Sequence, residues 1–211
     1  YGLTKGRYSP TSDRGAVTKT SPQGTIESPF IPGQLVLGAG GSFFARCVDN
    51  NIKHSQDVFE SAAKHQGTSV VEVLQNCVIF NDGVHAEISD PKMRDERQIF
   101  LKHGEPMIFG AAKDKGLVLD KGMLKVAKIG ENGVTPDDIF IHDATEPNGY
   151  IHQQLIGMHL PEHPIAMGVI RAVKAPVYDQ LMEEQIANVQ SKARIKSIDD
   201  LLGSGNTWVV D

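Results

Sequence analysis

The sequence predicts an α/β fold built on a parallel sheet, and three observations carry that expectation. An apolar stretch runs through SFFARCVD, Ser42 to Asp49, and a β-branched stretch, TSVVEVL, runs from Thr68 to Leu74. Between them, His54 to Gln66 has helical patterning, with Ser55 as candidate cap, Val58, Phe59, Ala62 and Ala63 on the inner side, and Gly67 as the stop. Strand, helix, strand order with an apolar second strand is the signature of a parallel unit. Asn81, Asp82 and Gly83 then signal a turn at the strand's carboxyl side, the edge where open α/β sheets bind ligands.

Composition bounds the rest. The 211 residues carry 21 Lys and Arg against 26 Asp and Glu, a net charge of −5, with 40% hydrophobic and 22% charged residues. These values exclude a disordered or fibrous chain and argue against a dedicated nucleic-acid binder. No apolar run approaches the roughly 20 residues of a membrane helix, and the first 30 residues hold no secretory signal, so no membrane association is expected. Cys47 and Cys77 cannot form a disulfide framework and fit a reducing cytoplasm. The chain opens on Tyr1 without a methionine, and is expected to be a piece of a longer one.

Before the first strand, Tyr1 to Phe30 mix Pro, Gly, Ser and Thr without apolar periodicity, which predicts a long functional loop. Beyond Ser89, a charged run and short apolar pieces separated by Gly and Lys predict short strands or hairpins outside the main sheet. A segment starting at Pro136, Asp137 and Asp138 reaches IFIHDA; Gly149 to Met158 predicts a short helix and Val177 to Arg194 a longer one. Domain organisation is accordingly expected as 1–88, the end of the sheet domain, followed by a mixed α/β C-terminal extension, 89–211.

Several features could carry chemistry. GAGGSF, Gly38 to Phe43, imitates a dinucleotide fingerprint, but Phe43 stands where the third glycine is needed, so close packing or a tight turn is the expected role. His159 and His163 have the spacing of a helical zinc pair, yet Pro161 and Pro164 forbid a regular helix there. His142 and Asp143 are a candidate acid-base pair, with a strand-end turn or a helix cap as the competing account. The charged stretch Lys92 to Lys102 is expected to be a solvated face. Cys77 lies just after the second strand, and a lone cysteine there is either a small buried hydrophobe or a ligand; a cluster of iron and sulfur needs about four thiolates.

Two longer motifs decide among these. YGLTKGRYSPTS at Tyr1 to Ser12, continued by KTSPQGTIESPF, and EVLQNCVIFNDG at Glu72 to Gly83 closely resemble the β subunit of 2-oxoacid:ferredoxin oxidoreductases, particularly the 2-oxoglutarate branch. The likeness continues more loosely through HDATEP and the terminal GNTW. The resemblance implies a thiamine diphosphate-binding fold, Rossmann-like and incomplete at its N-terminal side, because the family's GDG-type loop and upstream Asn or Thr for magnesium and diphosphate are not in this sequence. It implies that Tyr1, Gly2, Leu3 and Thr4 line the cofactor and that Cys77 is one ligand of a 4Fe-4S cluster, the family's other cluster cysteines lying near the N-terminus. Pyruvate-specific relatives tend to have Asn and Gly where Leu3 and Lys5 stand, so Lys5 is expected to read the distal carboxylate of 2-oxoglutarate, with Leu3 beside the substrate. Arg7 departs from the family's usual Gln and offers either a second carboxylate contact or a solvated cation.

The expected activity is CoA-dependent oxidative decarboxylation of 2-oxoglutarate to succinyl-CoA, with electrons passing through the cluster to ferredoxin. An α subunit is the expected partner, contacted through apolar loops such as Leu35 to Phe44, and the 211 residues alone are expected to be inactive. The alternatives are a pyruvate or broad-range 2-oxoacid oxidoreductase and, from another class, a non-catalytic interaction fragment.

Overall fold

A computed structural model describes residues 6–206, 208 and 210. The chain divides into two compact units, with the boundary between Lys174 and Ala175.

In the first unit, residues 6–31 form neither helix nor strand, as the composition predicted. The loop is tied internally: Gly15 N–H donates to the Thr25 carbonyl at 2.8 Å, and the Thr25 hydroxyl donates to the Asp13 carbonyl at 2.9 Å. Helix α1, Pro32–Gly38, precedes β1, Phe43–Val48; α2, Ile52–Lys64, then leads to β2, Ser69–Leu74. Strands β1 and β2 pair in parallel, with Phe43 opposite Ser69 and Val48 opposite Leu74, so the predicted parallel unit is present. The cap of α2 is Asn51, whose side chain accepts from His54 N–H, a contact worth about 1 kcal/mol. Ser55 sits one turn in and donates its hydroxyl to the Val48 carbonyl instead. Val58 is buried and Ala62 packs behind it, whereas Phe59 and Ala63 face outward.

Short helices α3, Ala86–Ser89, and α4, Arg94–Arg97, lead into β3, Gln98–Leu101. A separate antiparallel sheet follows, ordered β4, Ile108–Phe109, then β5, Lys115–Asp120, then β6, Met123–Lys128. A single 3-10 turn spans Pro136–Asp138, α5 spans Tyr150–Gly157, and β7 spans Ile165–Ala172. The main sheet is ordered β2-β1-β7-β3, parallel in its two outer pairs and antiparallel between β1 and β7. The expectation that the charged run and short apolar pieces after Ser89 lie outside this sheet holds for β4 to β6 and is corrected for β3, which belongs to the sheet, as does β7, a strand the sequence did not announce. The reason is burial. Ile99, Ala166 and Met167 have no exposed surface, and the pairing of β3 with β7 supplies their backbone partners.

Strand alternation splits the interior around β1. Phe43, Ala45 and Cys47 pack with Val58 on one face, while Phe44 joins Ile99, Leu155, Ile156 and Ile170 on the other. Arg46 shares Phe44's face; it is only 6% exposed, pairs with Glu72 Oε2 at 2.6 Å, and donates to the Ile156 carbonyl at 3.2 Å. Leu35 to Phe44 is consequently not a loop: it is most of α1 and the start of β1, with Phe43 and Phe44 in the core and only Leu35 among its large apolar side chains well exposed.

The second unit contains α6, Tyr178–Lys192, close to the predicted span, and α7, Ile198–Gly203, whose cap Ser197 accepts from Asp200 N–H. No helix among the described residues is long and apolar enough to cross a membrane.

Candidate functional site

Parallel pairing brings the carboxyl ends of β1 and β2 side by side, and the Cys77 loop leaves from that edge. Asp49, the residue after β1, donates its N–H to the Leu74 carbonyl at 3.2 Å, and its carboxylate accepts from the Asn76 N–H at 2.8 Å. The Asn76 side chain then brackets the loop: Nδ2 donates to Asp82 Oδ1 at 2.7 Å, and Oδ1 accepts from Gly83 N–H at 2.9 Å. Inside the bracket, Asn81 N–H donates to the Cys77 carbonyl at 2.9 Å and closes a turn over Val78 to Phe80, just before the predicted Asn-Asp-Gly turn. Side chains at the tip face outward, Val78 at 72% exposure and Ile79 at 78%.

Backbone N–H groups hold the Cys77 thiol below its ordinary value, that of Phe80 most, with desolvation opposing and the N–H groups of Ile79 and Asn81 adding to the lowering. Cys47 is the contrast: burial in the core pushes its thiol up. Behind the loop lies a cleft of about 440 Å³ lined by Asp49, Asn50, Asn76, Gly83, His85, Ala86 and Ser89. Burial lowers the pKa of His85, against the carboxylates of Asp49, Glu72 and Asp13, which favour its charged form.

The opening segment reaches the same place. Gly6 is buried against Phe80, close enough that a Cβ at position 6 would come within 3.1 Å of its ring. The two motifs that carried the family resemblance are thus in contact through Gly6 and Phe80. Tyr1, Gly2, Leu3, Thr4 and Lys5, the predicted cofactor and substrate residues, lie outside the described residues.

Other candidates part from chemistry. Gly38 to Phe43 joins a helix to a strand, the reverse of the dinucleotide order, and Gly41 is pressed against Val36, where a Cβ would meet Cγ1 at 2.4 Å. His159 is a surface residue in a turn, while His163 faces the Leu124 carbonyl at 3.3 Å. His142 is 1% exposed, its Nε2 2.9 Å from the Val169 carbonyl, while the Asp143 carboxylate accepts from Thr145 N–H and hydroxyl. The two lead into a turn after the isolated bridge of Ile141 with Pro106, without the strand that the sequence placed there. A larger hollow of about 600 Å³ borders β4 to β6, but its charges are spent on each other, Lys115 with Glu96 and Arg97 with Glu87.

Sequence reasoning missed Asp49, Asn76 and His85. Asn76 had a visible signal, since an amide flanking Cys77 faces an Asn-Asp-Gly turn six residues on; Asp49 had none until β1 and β2 were paired.

Among the described residues, no three or more His, Cys, Asp or Glu are grouped to hold a metal ion. Cys77, with N–H donors turned toward its sulfur, fits a single ligand position of an iron-sulfur cluster.

Fold and site together describe an α/β protein with a partly exposed cysteine loop at the carboxyl edge of a parallel strand pair. No protein-family model matches the chain. The 2-oxoglutarate oxidoreductase subunit KorB of Mycobacterium tuberculosis is 37% identical over 216 residues, covering 100% of this chain and 57% of that protein. The 2-oxoacid:ferredoxin oxidoreductase subunit beta of Saccharolobus solfataricus is 40% identical over 82 residues, 39% of this chain and 27% of its own length. A 2-oxoglutarate:ferredoxin oxidoreductase from Magnetococcus marinus, solved with 2-oxoglutarate, coenzyme A and succinyl-CoA bound, matches 98% of this chain and 55% of its own with a TM-score of 0.64; at 19% identity this shows a shared fold. The chain resembles the β subunits of 2-oxoacid:ferredoxin oxidoreductases, as the two motifs predicted, and spans about half the length of the relative that it matches throughout.

Proposed function

We propose that this chain is part of the β subunit of a 2-oxoglutarate:ferredoxin oxidoreductase, which converts 2-oxoglutarate and CoA to succinyl-CoA and carbon dioxide while two electrons pass to ferredoxin. The observation that carries this reading is the convergence of the two motifs, Gly6 against Phe80, in the loop that holds Cys77 at the carboxyl edge of the β1–β2 pair. The full-length likeness to a 2-oxoglutarate oxidoreductase subunit supports it.

In this reading Tyr1, Gly2, Leu3 and Thr4 line thiamine diphosphate, whose Mg2+ and diphosphate are held by residues that are not in this sequence, and Lys5 binds the distal carboxylate, beside Leu3. The cofactor, when bound, supplies the electron sink for decarboxylation, and the protein supplies position and electrostatics. Cys77 contributes one thiolate to a 4Fe-4S cluster, and the other ligands come from outside these residues, since Cys47 is sealed in the core. Residues 1–88 then serve the cofactor, and 89–211 form the region that meets the α subunit, a division of role rather than of compact unit. Both cysteines being free fits a cytoplasmic setting.

The test uses the complete β subunit with its α subunit, assayed anaerobically with CoA and ferredoxin. Succinyl-CoA formation from 2-oxoglutarate, with much weaker turnover of pyruvate, is expected. Preference for pyruvate would move the assignment to the pyruvate or broad-range branch, and no 2-oxoacid turnover would overturn it.

A further inference from the structure

We propose that Asn76, anchored by Asp49, is the positioning residue that fixes the Cys77 thiolate toward iron. The inference rests on the cluster reading above and extends it to residues that touch no iron. Asp49 terminates β1 and Asn76 opens the loop after β2, so the 2.8 Å bond from Asn76 N–H to the Asp49 carboxylate ties the loop's start to the most buried strand of the sheet. The Asn76 side chain ties its end, by 2.7 Å to Asp82 and 2.9 Å from Gly83 N–H. Cys77 sits between these two ties, and the residues that follow it, Val78 and Ile79, are exposed and contribute little restraint. Beyond the bracket, the described residues hold the loop by the Cys77 to Asn81 backbone bond, the N–H groups facing the Cys77 sulfur and the contact of Phe80 with Gly6. Three polar contacts from one amide residue, aimed forward and backward along the chain, are the geometry of an outer-shell group that orients a ligand.

Outer-shell groups of this kind are worth about tenfold to a hundredfold in metal affinity. The experiment uses the anaerobically purified complex of complete subunits and reads the rate of iron loss to a chelator, together with the EPR spectrum of the dithionite-reduced cluster. Asn76→Ala and Asp49→Ala are expected to lose iron about tenfold to a hundredfold faster and to change the EPR line shape. Asp49→Asn, whose amide oxygen still accepts the Asn76 N–H, is expected to restore both. Val58→Ala, which opens the core beneath α2, lowers the melting temperature and leaves the spectrum alone, separating positioning from general stability. Should Asn76→Ala fail to assemble, Asp82→Ala removes one of the two bonds of the far tie, leaves that of Gly83, and is read the same way with a smaller effect. Wild-type iron loss and EPR in the bracket variants, while Cys77→Ala loses iron, would overturn the proposal and leave the cluster reading standing. Full iron content in Cys77→Ala would overturn the cluster reading itself.

Discussion

Arg171 donates from Nη1 to Nδ1 of His152, 3.0 Å away, at a histidine that is 1% exposed. The contact leaves the ring proton on Nε2, which lies 2.8 Å from the Asp143 carbonyl. His152 is therefore neutral, and an added proton would have to displace a guanidinium. His142, its ring 6.3 Å away, is equally enclosed, and its Nδ1 is buried without a hydrogen-bond partner.

Stability is expected to fall on acidification. Burial lowers both pKa values first; Arg171 adds to it at His152, and His152 and His103 at His142, while Asp143, and Glu146 at His152, oppose. Below about 6.5 the unfolded chain binds protons that the folded rings refuse, so the contribution is complete above that pH and is lost as pH falls toward the folded values. Urea midpoints measured from about pH 7.5 to about pH 5.5 should drop, and His152→Gln should flatten the slope. A flat wild-type profile would show that the pair does not govern acid stability.

Arg46→Ala should be a damaging change, at about 2–4 kcal/mol, because it leaves two interior carbonyls and the half-buried Glu72 carboxylate without their partner. Denaturant unfolding reads this directly. A loss below about 1 kcal/mol would place the pair with ordinary surface ion pairs.

Gly41→Ala should cost about 1–3 kcal/mol, since the new methyl group meets Val36 Cγ1 and its carbonyl oxygen. Gly38→Ala, where nothing lies within 4 Å at the end of α1, should be neutral or gain up to about 1 kcal/mol. Equal effects at the two positions would contradict the packing account of this glycine-rich turn.

Lys5→Gly in the complete complex should reduce the preference for 2-oxoglutarate over pyruvate. A charge-assisted contact of roughly 1.5–3 kcal/mol corresponds to about ten- to 150-fold in kcat/KM ratio. An unchanged ratio would remove Lys5 from substrate selection.

Local patterns made β1, α2, β2, α5 and α6 legible, because each declares itself within one window of sequence. The Asn-Asp-Gly turn after Cys77 was readable for the same reason. Strand β7 was not: its run, IAMGVIRA, follows a proline-rich turn, and its partner Arg46 contacts Ala166 from 120 residues away. The cap of α2 was misplaced because Asn51 and Ser55 are both good cap residues, and only the helix start chooses between them. At the site, Cys77 was legible through its motif, whereas Asp49 became visible only once pairing set β1 and β2 side by side.

The order β2-β1-β7-β3 has a consequence for synthesis. Pairing of β1 with β2 can begin once Leu74 is available, but the other edge of β1 waits for Ile165 and beyond. At about 5–20 residues per second, that edge stays open for several seconds on the ribosome. Messages or proteolysis that end the chain before β7 would release a half-built sheet with Phe44 uncovered, a species suited to chaperone capture and prone to aggregation.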